Sequence, residues 1–287
     1  MQTDNTVAKS AVMVLDKSID ERWATEKYTR SLLAFIDVMG ISNSFRANPD
    51  DFNAHKSVYK IWDRVSKRLE LKEYTDFFNI HFGGYGIKHT IMSDSVVLSI
   101  DADETDALYK LLVILRVFYC ELLCLNPPHF LRGAITVGNL YHSGSVVFGP
   151  ALVEAVSLEK NDIKNFRLVI TEEAYNETDK NSKQSNDFFT AYIRYEDMHR
   201  DFDYLYSFIG RCDNDIMFGE EASKYLNILG VIQRRIREFI HSDDDDIKEK
   251  YLWMDKYFTN TLKKAIHYSG DDYQWLQKAY LEKRAYK

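Results

Sequence analysis

The order of hydrophobic and polar positions along the chain predicts a series of strands and helices. The apolar run LLAFI ends in a carboxylate and predicts a strand, and the Pro49-Asp50 pair after it is a helix start signal. Two later runs rich in β-branched and apolar residues predict a hairpin. The predicted elements are a helix over Thr6 to Lys27, a strand over Ser31 to Asp37, a helix over Asp50 to Leu71, strands over Phe78 to Met92 (interrupted at GGYG) and Ser95 to Ile100, a helix over Leu108 to Leu125, and a strand over Phe130 to Val137.

The strand and helix order is βαββαβ, which predicts an α+β fold with a ferredoxin-like antiparallel core sheet and helices on one face. In this topology the first and third strands are antiparallel neighbours at the centre of the sheet. Asp37 ends the first of them and Asp94 begins the third. We therefore expect the two carboxylates to meet at one edge of the sheet.

Amphipathic periodicity returns near the C-terminus and predicts a helical extension. Apolar residues recur through SKYLNILGVIQRRIREFI and again through KYLWMDKYFTNTLKKAI, with the polar HSDDDD between them. The predicted organisation is an N-terminal helical extension over residues 1–29, a main domain over 30–215 and a C-terminal helical segment over 216–287.

Composition and charge narrow the range of partners. The chain has 287 residues and a formal net charge of −7, which argues against a broad basic surface for nucleic acid but allows a local basic pocket for a small polyanion. Its three cysteines make no disulfide framework and fit a reducing cytoplasm. The most apolar segment, Leu108 to Leu125, is broken by Lys110, Arg116 and Glu121, and no signal peptide is recognisable, so we expect no membrane partner.

Two aspartates on adjacent strands suit hard divalent cations. Magnesium takes a few carboxylate oxygens and completes its octahedron with water and substrate phosphates. Paired metal ions of this kind are typical of in-line attack by a hydroxyl on a nucleoside triphosphate. The alternative interpretation is that Asp37 and Asp94 are turn residues that hold no ligand.

Four segments of the chain, in family order, resemble the catalytic domain of the class III nucleotidyl cyclases. The first looks like the metal-binding strand with its phosphate-binding turn, and the second like the hairpin with the second metal aspartate. The third is similar to the segment with a triphosphate-binding arginine and the dimer-interface helix, and the fourth to the strand that follows. The segments are AFIDVMGISNSF, TIMSDSVVLS, LRGAITVGNLYHSGSVVFGPALVEAVSLE and FRLVITEEAYN.

The resemblance implies a role for individual residues. Asp37 and Asp94 would be the catalytic metal ligands for two Mg²⁺ or Mn²⁺ ions, aided by the backbone carbonyl of Val38. Arg132 would hold the triphosphate. Helix-entrance N–H groups would meet the β- and γ-phosphates; these belong to Met39, Gly40, Ile41 and Ser42.

Several positions depart from the purine cyclases of this family. Thr90 and Val146 stand where residues that read the purine would be, and Val153 and Ser157 stand where the transition-state asparagine and arginine would be. These losses resemble the Pycsar pyrimidine cyclases of bacterial antiphage defence. Thr90, Val146 and Tyr28 would then form the base pocket, and Lys160, Lys164 or Arg167 would replace the lost positive charge.

The resemblance implies a cytoplasmic bacterial enzyme that converts UTP to 3′,5′-cyclic UMP and pyrophosphate, as a homodimer with active sites at the subunit interface. Three alternatives stay open from the sequence. They are a cytidylate cyclase that uses CTP, a purine cyclase with a rewired base pocket or a related palm-type nucleotidyltransferase, and a catalytically silent module that binds a nucleotide or a partner and signals by shape.

Overall fold

The computed structural model describes residues 26–41, 45–46, 49–69, 76, 79, 86–177, 192–196, 198–215 and 220–268. Of the predicted helix over Thr6 to Lys27, only residues 26 and 27 belong to the described residues. Ser42 lies outside them. The strands are β1 (Thr29–Val38), β2 (Lys88–Met92), β3 (Ser95–Asp101), β4 (Leu131–Ser143), β5 (Val146–Phe148), β6 (Leu168–Ile170), β7 (Ile193–Glu196) and β8 (His199–Phe202). The helices are α1 (Phe52–Leu69), α2 (Ala107–Leu123), α3 (Pro150–Asn161), α4 (Glu172–Asn176), α5 (Tyr204–Asp215), α6 (Glu220–Phe239) and α7 (Asp245–Tyr268).

The strands of the described residues form one eight-stranded sheet in the order β2-β3-β1-β4-β6-β8-β7, with β5 paired to β4 outside this order. The first four strands of that order pair antiparallel, as the βαββαβ pattern predicts. β6 then joins β4 in parallel, so the whole sheet is mixed. The predicted α+β class and its central pair, β1 beside β3, are confirmed.

Both faces of the central strand are covered, which corrects the prediction that helices lie on one face only. Every side chain from Leu32 to Ile36 is buried. Leu32 and Ile36 pack in the cluster that contains residues of α1 and α2, whereas Leu33 and Phe35 pack in a second cluster with Ala151 of α3. Because successive strand residues point to opposite faces, a continuous apolar run requires cover on both sides.

The observed boundaries differ from the predicted ones mainly at two strands, β4 and β2. The helices predicted over Asp50 to Leu71 and Leu108 to Leu125 are present with ends shifted by two residues or fewer. β4 continues to Ser143, past the predicted end at Val137, because it turns at Gly144 and pairs with β5. On the predicted strand over Phe78 to Met92, β2 covers Lys88–Met92, and Asn79 is helical.

The C-terminal helices continue the main core. Ile232 and Ile236 of α6 and Met254 of α7 are fully buried in the same cluster as Leu111 of α2 and Leu32 of β1. The described parts of the predicted main domain and of the predicted C-terminal segment therefore share one hydrophobic core. The division into residues 1–29, 30–215 and 216–287 stays a prediction.

Candidate active site

Asp37 lies at the end of β1 between two partner strands. It pairs with Ser95 of β3 on one side and with Arg132 of β4 on the other. By strand alternation its side chain belongs to the face of Leu33 and Phe35, which α3 covers. The carboxylate keeps 19% side-chain exposure, so it lies just below the surface.

Asp94 lies in the turn between β2 and β3, next to the end of β1. The N–H of Val38 donates to the Asp94 carbonyl oxygen at 2.9 Å, which fixes the two segments against each other. The predicted meeting of the first and third strand ends is therefore confirmed. The roles of Asp37, Asp94 and the Val38 carbonyl as metal ligands stay predictions.

The site carries more negative than positive charge around Asp37. Burial, followed by the nearby carboxylates of Asp94 and Glu159, raises the pKa of Asp37 to about 7, and the opposing charge of Arg132 offsets this only in part. Each of these carboxylates disfavours a further negative charge at Asp37. A cation bound at this point would relieve that repulsion, and the hard carboxylate oxygens are the donors that Mg²⁺ and Mn²⁺ prefer.

Arg132 is held at the site by a carboxylate that the sequence analysis missed. Its guanidinium forms an ion pair with Glu159 of α3, and its Nη2 lies 3.8 Å from Oδ2 of Asp37. Its Nη1 also donates to the Ile163 carbonyl oxygen at 3.3 Å, while its Nε is buried and has no hydrogen-bond partner among the described residues. A signal for Glu159 exists in the sequence, because it follows the buried Ala151 and Ala155 at four-residue spacing on one helix face.

The turn after β1 offers fewer free N–H groups than predicted. The N–H of Met39 donates to the Phe130 carbonyl oxygen at 3.0 Å, so it is already used within the fold. Gly40 has a φ of +91°, and within the described part of the chain no atom beyond its two sequence neighbours lies within 4 Å of the point where a Cβ would stand. The phosphate contacts predicted for Gly40 and Ile41 stay predictions, and Ser42 lies outside the described residues.

Thr90 is buried in a hydrogen-bond network. Its Oγ1 donates to the Gly144 carbonyl oxygen at 3.0 Å and lies 2.9 Å from Nε2 of His142. The other ring nitrogen of His142 lies 2.7 Å from Oγ of Ser99. Burial, reinforced by the positive charge of Lys88, lowers the pKa of His142 to about 4, so the ring is neutral at pH 7. The Thr90 hydroxyl therefore holds the β4–β5 turn against β2.

The other two predicted base-pocket residues lie on an exposed aromatic patch. Tyr28 is 48% exposed and packs edge to face on Phe148, with 6.0 Å between ring centroids. Val146 is also exposed, at the start of β5. Tyr141 stacks on the same Phe148 ring, so the patch follows the β4–β5 hairpin. The base-pocket roles of Tyr28, Val146 and Thr90 stay predictions.

A groove of about 800 Å³ runs along α3 beside Tyr28. Val153 and Ser157, the positions of the absent asparagine and arginine, line it together with Pro150. Val153 is 70% exposed, an unusual fraction for a valine on a helix.

Of the three basic residues considered as replacements, one is already paired. Arg167 is buried and forms two hydrogen bonds to the Asp201 carboxylate, at 2.9 and 3.1 Å. We therefore withdraw Arg167 from the predicted set. Lys160 and Lys164 are exposed next to the site.

The described residues were searched for clusters of metal ligands and for helices that could span a membrane. Among them, no cluster of three or more His, Cys, Asp or Glu side chains has the arrangement of a metal site. Magnesium commonly takes only one or two protein carboxylates and completes its shell with water and substrate phosphates. None of the helices in the described part of the chain has the length and apolar character needed to cross a bilayer.

Comparison with known proteins gives only distant structural similarity. No protein-family model matches the chain, and no curated protein matches it. The chain is similar to the monomeric guanylyl cyclase domain of the RhoGC fusion protein from the aquatic fungus Blastocladiella emersonii, with 13% identity over 62% of this chain and 95% of that chain and a TM-score of 0.42.

Two further solved structures show the same level of similarity. The catalytic core of a rhodopsin-guanylyl cyclase with converted specificity, in complex with ATPαS, has 13% identity over 54% of this chain and 84% of that chain, with a TM-score of 0.38. A bacterial light-regulated adenylyl cyclase has 15% identity over 73% of this chain and 99% of that chain, with a TM-score of 0.36. At these identities and TM-scores, none of the three assigns an activity or a substrate to this chain.

Proposed function

We propose that this protein is a nucleotidyl cyclase that converts a pyrimidine nucleoside triphosphate, UTP in first place, into its 3′,5′-cyclic monophosphate. The observation that carries the proposal is the pair of carboxylates at the ends of neighbouring strands, Asp37 and Asp94, with Arg132 beside them. The four sequence segments that resemble class III cyclases contain these same three residues.

In this proposal, Asp37 and Asp94 hold two divalent cations. The raised pKa of Asp37, about 7, supports that role because burial and, after it, the carboxylates of Asp94 and Glu159 disfavour its charged form, and a bound cation would offset both. Bound Mg²⁺ or Mn²⁺ supplies activation of the attacking hydroxyl and neutralisation of the leaving group. The protein residues bind and orient the triphosphate so that the ribose 3′-oxygen lies in line with the α-phosphorus.

The reaction forms one bond and breaks one. The ribose 3′-oxygen bonds to the α-phosphorus, the bond from that phosphorus to the β-phosphate bridging oxygen breaks, and pyrophosphate leaves. The hydroxyl proton passes to solvent. Arg132 binds the triphosphate oxygens and exchanges part of its ion pair with Glu159 for them. N–H groups of Gly40 and Ile41 bind the terminal phosphates.

The pyrimidine substrate is inferred from the base-reading positions. Thr90 carries no charge, and its hydroxyl is already bonded to the β4–β5 turn. Val146 has no hydrogen-bonding group. Neither side chain supplies the charged contact that the purine cyclases use, which supports a pyrimidine as the smaller base. UTP is the preferred substrate in this proposal and CTP is the alternative.

A homodimer would complete the site across the groove along α3. Val153 and Pro150 expose apolar surface there, and the groove is wide enough to receive side chains from a second copy. Lys160 or Lys164 would supply positive charge near the reacting phosphates.

One observation favours a different class of function. Arg132 is paired with Glu159, and Val153 and Ser157 provide no transition-state contacts, which is the pattern expected of a silent nucleotide-binding module. Such a module would bind a nucleoside triphosphate and release no cyclic product.

The test is incubation of the full-length protein with each of the four nucleoside triphosphates and Mn²⁺, with products resolved by chromatography. We expect cyclic UMP and pyrophosphate in equal amounts, and a fall in turnover of about a hundred- to a thousand-fold for Asp94→Ala. Asp103→Ala, which changes an exposed aspartate in the β3–α2 connection, serves as the matched control and should retain activity. A cyclic purine as the main product would reject the substrate, and normal turnover by Asp94→Ala would reject the mechanism.

A further inference from the structure

A tryptophan of α1 is hydrogen-bonded to the turn that carries Asp94. The indole Nε1–H of Trp62 donates to the Ser93 carbonyl oxygen at 2.7 Å. The Trp62 side chain is buried, with 9% exposure, and its ring stacks on Phe118 of α2 at 6.2 Å between centroids. A rigid side chain from the helical layer thus reaches the edge of the sheet.

The turn has two residues, Ser93 and Asp94, between the paired strand ends Met92 and Ser95. Ser93 is exposed and has a φ of +56°, in the left-handed region that non-glycine residues rarely adopt. The surrounding structure must therefore hold Ser93 there. The Trp62 indole binds the carbonyl on the N-terminal side of Asp94, and the Val38 N–H binds the carbonyl of Asp94 itself at 2.9 Å. The Asp94 backbone is thereby fixed on both sides.

We propose that Trp62 is a positioning residue for the Asp94 carboxylate: its indole N–H holds the Ser93–Asp94 peptide in the orientation that lets Asp94 share a divalent cation with Asp37. This inference rests on the proposed function, because it assigns Trp62 a role toward the same metal site. The ring stacking alone would give only stability, whereas the hydrogen bond to Ser93 acts on the metal ligand.

The test separates these two contributions of Trp62. Trp62→Phe keeps an aromatic ring against Phe118 and removes the N–H donor. Trp253→Phe makes the same replacement in α7, at a half-buried tryptophan that packs on Tyr257, and is the matched control. Mn²⁺ binding to each protein without nucleotide is measured by isothermal titration calorimetry, and unfolding temperature is measured in parallel. We expect Trp62→Phe to bind Mn²⁺ about three- to tenfold more weakly than wild type, as the loss of one hydrogen bond allows, and Trp253→Phe to bind as wild type.

The possible outcomes distinguish this inference from the proposed function. If wild type binds Mn²⁺ and Asp94→Ala does not, the metal site stands, and equal Mn²⁺ affinities for Trp62→Phe and Trp253→Phe would then overturn the role of Trp62 alone. If Asp94→Ala binds Mn²⁺ as wild type does, the proposed metal site itself is wrong.

A second measurement works on the unaltered protein, in case Trp62→Phe does not fold. Hydrogen exchange of the Trp62 indole N–H is followed by NMR with and without Mg²⁺. Because the bound cation would restrain the Asp94 turn, we expect this exchange to slow severalfold with Mg²⁺ in wild type and to stay unchanged in Asp94→Ala. An indole exchange rate that is the same with and without Mg²⁺ in wild type would contradict the coupling between Trp62 and the metal site.

Discussion

At Asp37, burial disfavours the charged carboxylate that the proposed metal site requires. Its carboxylate is held beside Asp94 and Glu159, and its pKa rises from the ordinary 3.8 to about 7. Between those two pH values the folded protein keeps a proton that the unfolded chain has released. Raising the pH through this window therefore lowers the stability of the metal-free protein.

The first prediction follows from this loss of stability with rising pH. Asp37→Asn removes the titrating group, so the metal-free variant should gain unfolding temperature relative to wild type as the pH rises from 5 to 8, by at least about 2 °C. The measurement is thermal unfolding in the presence of a chelator at both pH values, with Asp103→Asn as the control at an exposed position. An Asp37→Asn curve that stays parallel to wild type across this range would contradict the raised pKa.

Among the residues of the candidate site, the sequence predicted those that stand at the end of a strand. Asp37 and Asp94 stand out because each interrupts an apolar run at a strand end. Glu159 does not, since a glutamate near the end of a helix is usually solvated. Its burial depends on how α3 lies against β1 and β4, a tertiary contact that helical spacing can suggest but does not specify.

At the scale of elements, the docking of α7 depends on a buried polar contact with the start of α5. The Tyr257 hydroxyl donates to Oδ1 of Asp203 at 2.8 Å and accepts from the Leu205 N–H at 3.2 Å. Asp203 also receives Lys264 of α7 at 3.1 Å. Burial raises the pKa of Tyr257, so the hydroxyl stays protonated and available as a donor.

The second prediction concerns this contact. Tyr257→Phe should lower the free energy of unfolding by on the order of 1–3 kcal/mol, because Asp203 and the Leu205 N–H lose a partner inside the protein. Urea unfolding followed by circular dichroism gives the value. Tyr195→Phe, at a tyrosine that is 68% exposed, is the control and should change little. Equal effects of the two substitutions would show that the contact does not hold α7.

The elements themselves were predictable where periodicity was strong, as in α1, α2 and β1. The long β4 and its turn were not, because the network of Thr90, Ser99 and His142 that holds them joins residues far apart in sequence. A polar residue in a strand pattern gives no indication of which distant partner will satisfy it.

At the scale of the whole molecule, the βαββαβ order specified the centre of the sheet but not what surrounds it. The parallel addition of β6, the cover of α3 on the second face and the shared core with α6 and α7 all come from packing between distant segments. The sequence predicted the C-terminal helices as a separate segment. The apolar periodicity of a helix is the same whether the helix packs against another helix of that segment or against the main core.

The proposed cyclase activity requires that Asp37 and Asp94 bind divalent cations together. The most direct measurement is anomalous diffraction from crystals grown with Mn²⁺ and 3′-deoxy-UTP, a substrate analogue without the attacking hydroxyl. We expect anomalous peaks about 2.1 Å from oxygens of both carboxylates, against the triphosphate and within reach of Arg132. Manganese bound elsewhere, or a triphosphate seated without metal contact to Asp37 and Asp94, would contradict the claim.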